Sequence, residues 1–217
     1  MKFRPIYMDI SIVTVANITR DFCNPLYLFK HNVIKNDDIE SINDKDICIS
    51  QDVVSFKTRN FDLYCNSVRM QVRSENVSLS SILSDITLNI IRLSQSAPKA
   101  VGINATFRFA TDEPSFRKFC HRCSPSDAFG PMADNALMLD LSFLDRNHAP
   151  GNGEPDAVYN IKRLPDISKE EMTVQISVNN HCPINNGIEE VAKYLMESAK
   201  MHEIFFEKCL QFIKSIQ

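Results

Sequence analysis

The sequence predicts an α+β protein: a curved antiparallel sheet with two long helices packed on one face. Three observations carry this expectation. Several segments alternate apolar and polar residues with period 2, two others repeat apolar residues at three- and four-residue steps, and the order is strands then helix, twice. The two runs, 1–99 and 100–217, read as pseudo-repeated halves of one α+β domain spanning 1–217. They are alike in layout rather than in sequence.

Residues 6–16 place Met8, Ile10 and Ile12 on one face and Asp9 and Ser11 on the other, a half-buried strand. Residues 31–48, rich in Asn, Asp and Lys, read as a solvated loop that can hold a short helical turn. Strands are expected at 51–58 and 61–73, where Val68, Met70 and Val72 alternate with Arg69, Gln71 and Arg73. Ser78 then caps a helix over 79–95 marked by Leu79, Ile82, Leu83, Ile86, Ile90 and Leu93, with Pro98 ending it. Residues 100–110 form the clearest strand, with Val101, Ile103, Ala105, Phe107 and Phe109 inward. A short helix from Pro114 to Cys123 precedes a loop at 124–134. Strands return at 136–144, 157–163 and 171–179, the first two separated by the Pro- and Gly-rich RNHAPGNGEPD turn. A helix of about thirty residues closes the chain from Gly187, with Asn186 and Glu189 placed as a capping box.

Composition narrows the function classes. At 44% hydrophobic and 24% charged, the chain matches ordinary globular proteins. A net charge of −3 disfavours nucleic acid as the main partner. No run of apolar residues is long enough to cross a membrane as a helix. Asp9 interrupts the N-terminal apolar stretch, and the seven cysteines form no even framework, which fits reduced thiols in a cytoplasm. Ile (22) and Asn (18) outnumber Ala (12), the bias of an AT-rich gene.

No phosphate loop, dinucleotide fingerprint, nucleophile elbow or zincin motif is present. The expectation is therefore a non-enzymatic binding or scaffolding protein, an accessory subunit of a bacterial multi-protein system such as a defence or mobile element. It would associate with itself or another protein through the C-terminal helix. There Ile188, Leu195, His202, Phe206 and Ile213 follow a 4-3 spacing suited to a helix partner. His202 reads first as a satisfied core or boundary histidine.

Two alternatives come from other chemistry. Cys120 and Cys123, two residues apart in FRKFCHRC, could grip zinc with His181 and Cys182, as a stabilised domain or a metal enzyme. The expectation without that site is no cofactor, with inert thiols near a helix end. The other alternative is a receptor for a small anionic ligand on a sheet face bearing Arg69, Arg73, Arg108, Asn104 and Gln175, with Arg163 on a further strand. An ordinary solvated sheet face has the same composition. The layout of a β-rich N-terminal part with long packing helices resembles SecB-like chaperones; no motif accompanies the likeness, so it assigns no residue a role.

Overall fold

In the computed structural model, residues 3–123, 140–145, 157–164 and 171–215 are described. They build a nine-stranded antiparallel sheet in the order β2-β3-β4-β5-β1-β6-β9-β8-β7. The first half contributes β1 (Arg4–Val15), β2 (Ile47–Ile49), β3 (Val53–Lys57), β4 (Asp62–Asn66) and β5 (Arg69–Ser74), followed by helix α3 (Ser80–Ser94). The second contributes β6 (Ala100–Thr111), helix α4 (Glu113–Cys123), β7 (Asp140–Asp145), β8 (Ala157–Leu164) and β9 (Met172–Pro183). In each half the first strand pairs with the last, and the others follow outward in reverse order. The two first strands, β1 and β6, are neighbours at the middle of the sheet, with Ile12 opposite Ile103.

The strand periodicity decides which face is dry. Ile10 and Ile12 on β1, Ile103, Phe107 and Phe109 on β6, and Val174, Ile176 and Val178 on β9 are all buried. They join Leu83, Ile86 and Ile90 of α3 in one apolar cluster. Phe119 of α4 enters the same cluster and packs on Phe3 and Phe212.

Several local expectations are corrected. Residues 61–73 form a hairpin rather than one strand. The Asn66 side chain accepts from the amides of Val68 and Arg69 at 3.0 and 2.9 Å, turning the chain and leaving Val68 exposed. The segment 31–48, read as a solvated loop that can hold a short helical turn, contains α2 (Asn36–Glu40), and a further short helix, α1 (Pro25–Lys30), precedes it. Asn24 caps α1 by accepting from the Leu26 amide, with Pro25 at the first helical position. Asn76, not Ser78, supplies the side-chain cap ahead of α3, through a short 3-10 turn. The expected loop at 124–134, the first part of the 136–144 strand and the RNHAPGNGEPD turn lie outside the described residues.

The largest correction concerns the C-terminal rod. It is two helices, α5 (Ile188–Met196) and α6 (Ser198–Ser215), divided at Glu197. The expected capping box at Asn186 and Glu189 is absent; Glu190 instead accepts from the amides of Asn185 and Asn186, both at 2.7 Å. Beyond the break, His202 meets α3 and β6. Its Nε2 lies 3.2 Å from the Asn104 carbonyl, which can only accept, so Nε2 carries the proton. Nδ1 therefore accepts from the Ser80 hydroxyl at 2.6 Å. Ser198 reaches Ser84 at 2.5 Å, and Ser84 donates to the Ser80 carbonyl at 3.2 Å. Ser198, at the start of α6, and His202 thus take part in a buried polar network joining α3, α6 and β6.

Candidate ligand-binding sheet face

No described helix covers the other face of the sheet. The pairing register carries polar side chains across it: Tyr64, Gln71, Arg73, Ser11, Asn104, Asn179 and Asn160 lie on successive strands from β4 to β8. Arg69, Arg73, Arg108, Asn104 and Gln175, grouped from sequence on alternation alone, all stand on this face. Arg163 does not. It lies on the opposite side of β8, with its guanidinium 5.5 Å from the Phe116 ring centre.

These residues do different work. Arg73 is a cross-brace: Nε binds Asp9 at 2.5 Å, Nη2 donates to the Tyr7 hydroxyl at 2.5 Å, and Asp62 and Glu75 lie at 3.8 and 3.5 Å. Burial lifts the Asp9 carboxyl above its ordinary range, against the opposing pull of Arg73. Arg108 stacks over Tyr7 at 4.4 Å, and its Nε donates to Gln175 at 3.0 Å. Its two Nη atoms make no hydrogen bond among the described residues. Gln175 is thus a positioning residue, and in turn donates to Ser177 at 3.2 Å. The Asn104 side chain accepts from the Asn180 amide at 3.3 Å, a role within the sheet.

Toward the β2 edge the face sinks into a groove of about 450 Å³. Lys45, Lys57, Arg69 and Arg73 line it with Asp46 and Asp62, alongside Cys48, Ser55 and Tyr64. Four cations and two carboxylates line it, on a chain of net charge −3, and Arg73 is further paired with Asp9 and Glu75. Lys57 and Arg73 share Asp62, at 4.0 and 3.8 Å. Burial raises the Asp62 carboxyl and the two cations pull it back down. Arg69 gives Nη2 to Gln71 at 3.0 Å and lies 5.8 Å from the Tyr64 ring centre. Neither Lys45 nor Arg69 has a carboxylate partner among the described residues. Tyr7, Asp9, Lys57 and Tyr64 were legible as outward strand positions but not as neighbours, since the pairing register is not written in any one strand. Lys45, in the segment read as loop, gave no signal.

The metal set does not assemble. Cys120 is buried and Cys123 half-buried on α4, which packs near the Thr111 end of β6. His181 and Cys182 pair with Gly102 and Val101 at the other end of that strand, about 30 Å away at a rise of ~3.3 Å per residue. No group of three or more candidate ligands occurs among the described residues. Burial and the neighbouring Cys120 push the Cys123 thiol up to about 12, opposite to the shift a metal-ready thiolate needs. Elemental analysis of protein prepared without chelator is expected to find less than about 0.1 equivalents of zinc, where a four-ligand structural site would hold one.

The residues of the expected docking seam all touch the chain's own core. Leu195, His202 and Ile213 are buried, and Ile188 and Phe206 pack against the same core. Among the described helix residues, Leu26, Phe29, Ile82, Met196 and Ile204 are large apolar side chains left exposed, Met196 at the break being 84% exposed.

Compared with models of known families and with curated proteins, the chain matches none.

Proposed function

We propose that the protein works by binding rather than by catalysis, and that its uncovered sheet face receives an anionic ligand. The groove carries this reading: it is a concavity of ligand size in which Lys45 and Arg69 have no carboxylate partner among the described residues. Arg108 supports it from the middle of the face, because a stacked guanidinium fixed through Nε offers its Nη edge without first having to be ordered.

Thermal unfolding of the full chain in glutamate, citrate, phosphate and pyrophosphate tests the reading at constant ionic strength. An anion at 100 times its Kd stabilises the folded state by about 2.7 kcal/mol, a rise in Tm of roughly 5–10 °C for a chain of this size. The double variant Arg69→Ala/Arg108→Ala is expected to fold and to lose that rise, since both side chains are surface groups with few internal bonds. No Tm rise with any of the four anions, or an undiminished rise in the double variant, overturns the proposal.

A further inference from the structure

Three sulfur atoms meet in the core of the first half. Cys65 on β4 and Met70 on β5 are directly opposite one another in the pairing register, and both are buried on the dry side of the sheet. Cys23 closes a 3-10 turn, Arg20–Cys23, that packs against β4. Its thiol lies 3.9 Å from the Met70 sulfur and is hydrogen-bonded with the Cys65 thiol. All three side chains are wholly inaccessible to solvent. We infer that Cys23, Cys65 and Met70 form a binding site for one soft monovalent metal ion of the copper(I) class. The site faces away from the polar surface proposed to bind anions, so the two readings stand or fall separately.

The spacing suits such an ion. At metal–sulfur bonds of about 2.3 Å, a trigonal site holds its sulfurs about 4.0 Å apart. The Cys23–Met70 separation already has that length. Directly opposed strand residues hold their Cβ atoms ~4.5–5.5 Å apart, which lets the Cys65 and Met70 sulfurs converge on the same point. Two thiols and a thioether are also a soft donor set, which selects copper(I). Zinc draws on His, Cys and carboxylate donors instead, and no group of three of those occurs among the described residues.

The charges balance. The hydrogen bond with Cys23 lowers the Cys65 pKa, burial opposes it, and the Arg20 guanidinium lowers it further. Cys65 is therefore the thiol that ionises first. Binding of one ion expels both thiol protons to solvent with no change of oxidation state, leaving a thiolate complex of charge −1 beside Arg20. The turn carrying Cys23 has no side-chain cap and exposes Thr19 and Asp21, so its opening gives an ion a short path inward.

Anaerobic titration of the full chain with copper(I), against a coloured copper(I) chelator as competitor, tests the assignment. The background is Cys48→Ser/Cys123→Ser, which removes the exposed and the half-buried thiols. This protein is expected to take one equivalent of copper(I) from the chelator, to gain thiolate-to-metal charge-transfer absorption in the ultraviolet, and to reject zinc. Silver(I), a monovalent ion without redox chemistry here, should raise its Tm. Adding Cys23→Ser or Cys65→Ser should abolish these effects. Met70→Leu conserves volume and keeps the fold, so it decides the matter even where a cysteine variant does not fold. It should weaken copper(I) binding about tenfold or more, since loss of a supporting group outside the ligand set already costs that much. Uptake below about 0.1 equivalents of copper(I), or an affinity unchanged by Met70→Leu, overturns the three-sulfur site.

Discussion

Phe107→Ala lowers the unfolding free energy by about 3–5 kcal/mol, the usual cost of removing a fully buried phenyl ring. Phe107 is wholly inaccessible to solvent, sits on central strand β6, and meets the Phe206 ring of α6 at 5.3 Å. The loss is a large share of the ~5–15 kcal/mol that keeps a typical chain folded. Urea unfolding should show a lower midpoint at unchanged m. Phe206→Ala, at the half-buried end of the same pair, should cost about half as much, since less apolar area leaves water on folding there. Equal losses would mean that α6, not the sheet, holds the main packing contact.

Acidification from pH 7 to below 4 is expected to cost about 3 kcal/mol through His202 alone. Burial lowers its pKa from 6.5 to about 4, partly offset by the bond to the Asn104 carbonyl. Between those values the unfolded chain binds the proton and the folded one does not. Stability therefore rises with pH through this window, is fully present above about 6.5, and is lost as pH falls toward 4. The groups that face the ring are Ser80, the Asn104 carbonyl and Phe205, none of them charged. His202→Gln keeps one donor and one acceptor but cannot titrate. Urea midpoints for this variant should vary with pH less steeply than for the native chain; parallel profiles would remove His202 as the source.

The periodic signals translated directly into elements. Alternation in residues 100–110 and 171–179 gave the correct inward residues, because a strand in an antiparallel sheet needs one dry face. The same alternation sent Arg69, Arg73, Arg108, Asn104 and Gln175 outward. What it lacked was register: that Arg73 would be enclosed by three carboxylates while Arg69 met none depends on which strands lie side by side. The break at Glu197 was hidden for another reason. The stretch from Ile188 to Phe212 holds no Pro or Gly, and its 4-3 apolar spacing continues unbroken. Ser198, the lone serine there, was the available cue, and its meaning lies in Ser84, more than a hundred positions earlier in the chain. Short helix α1 escaped, and α2 showed only as a helical turn, because cap residues rather than apolar periodicity define them.

The central position of β1 bears on the order of synthesis. Its partner on one side, β5, belongs to the first half, while the other, β6, is made only after α3. During that interval a twelve-residue strand carries one row of unpaired amides and carbonyls, without the charges or proline kinks along most of its length that usually blunt such a border. A nascent first half is therefore sticky by construction, and arrival of residues 100–111 is what seals it. Truncation after residue 97 should yield material that self-associates through β1, whereas the complete chain satisfies that border internally.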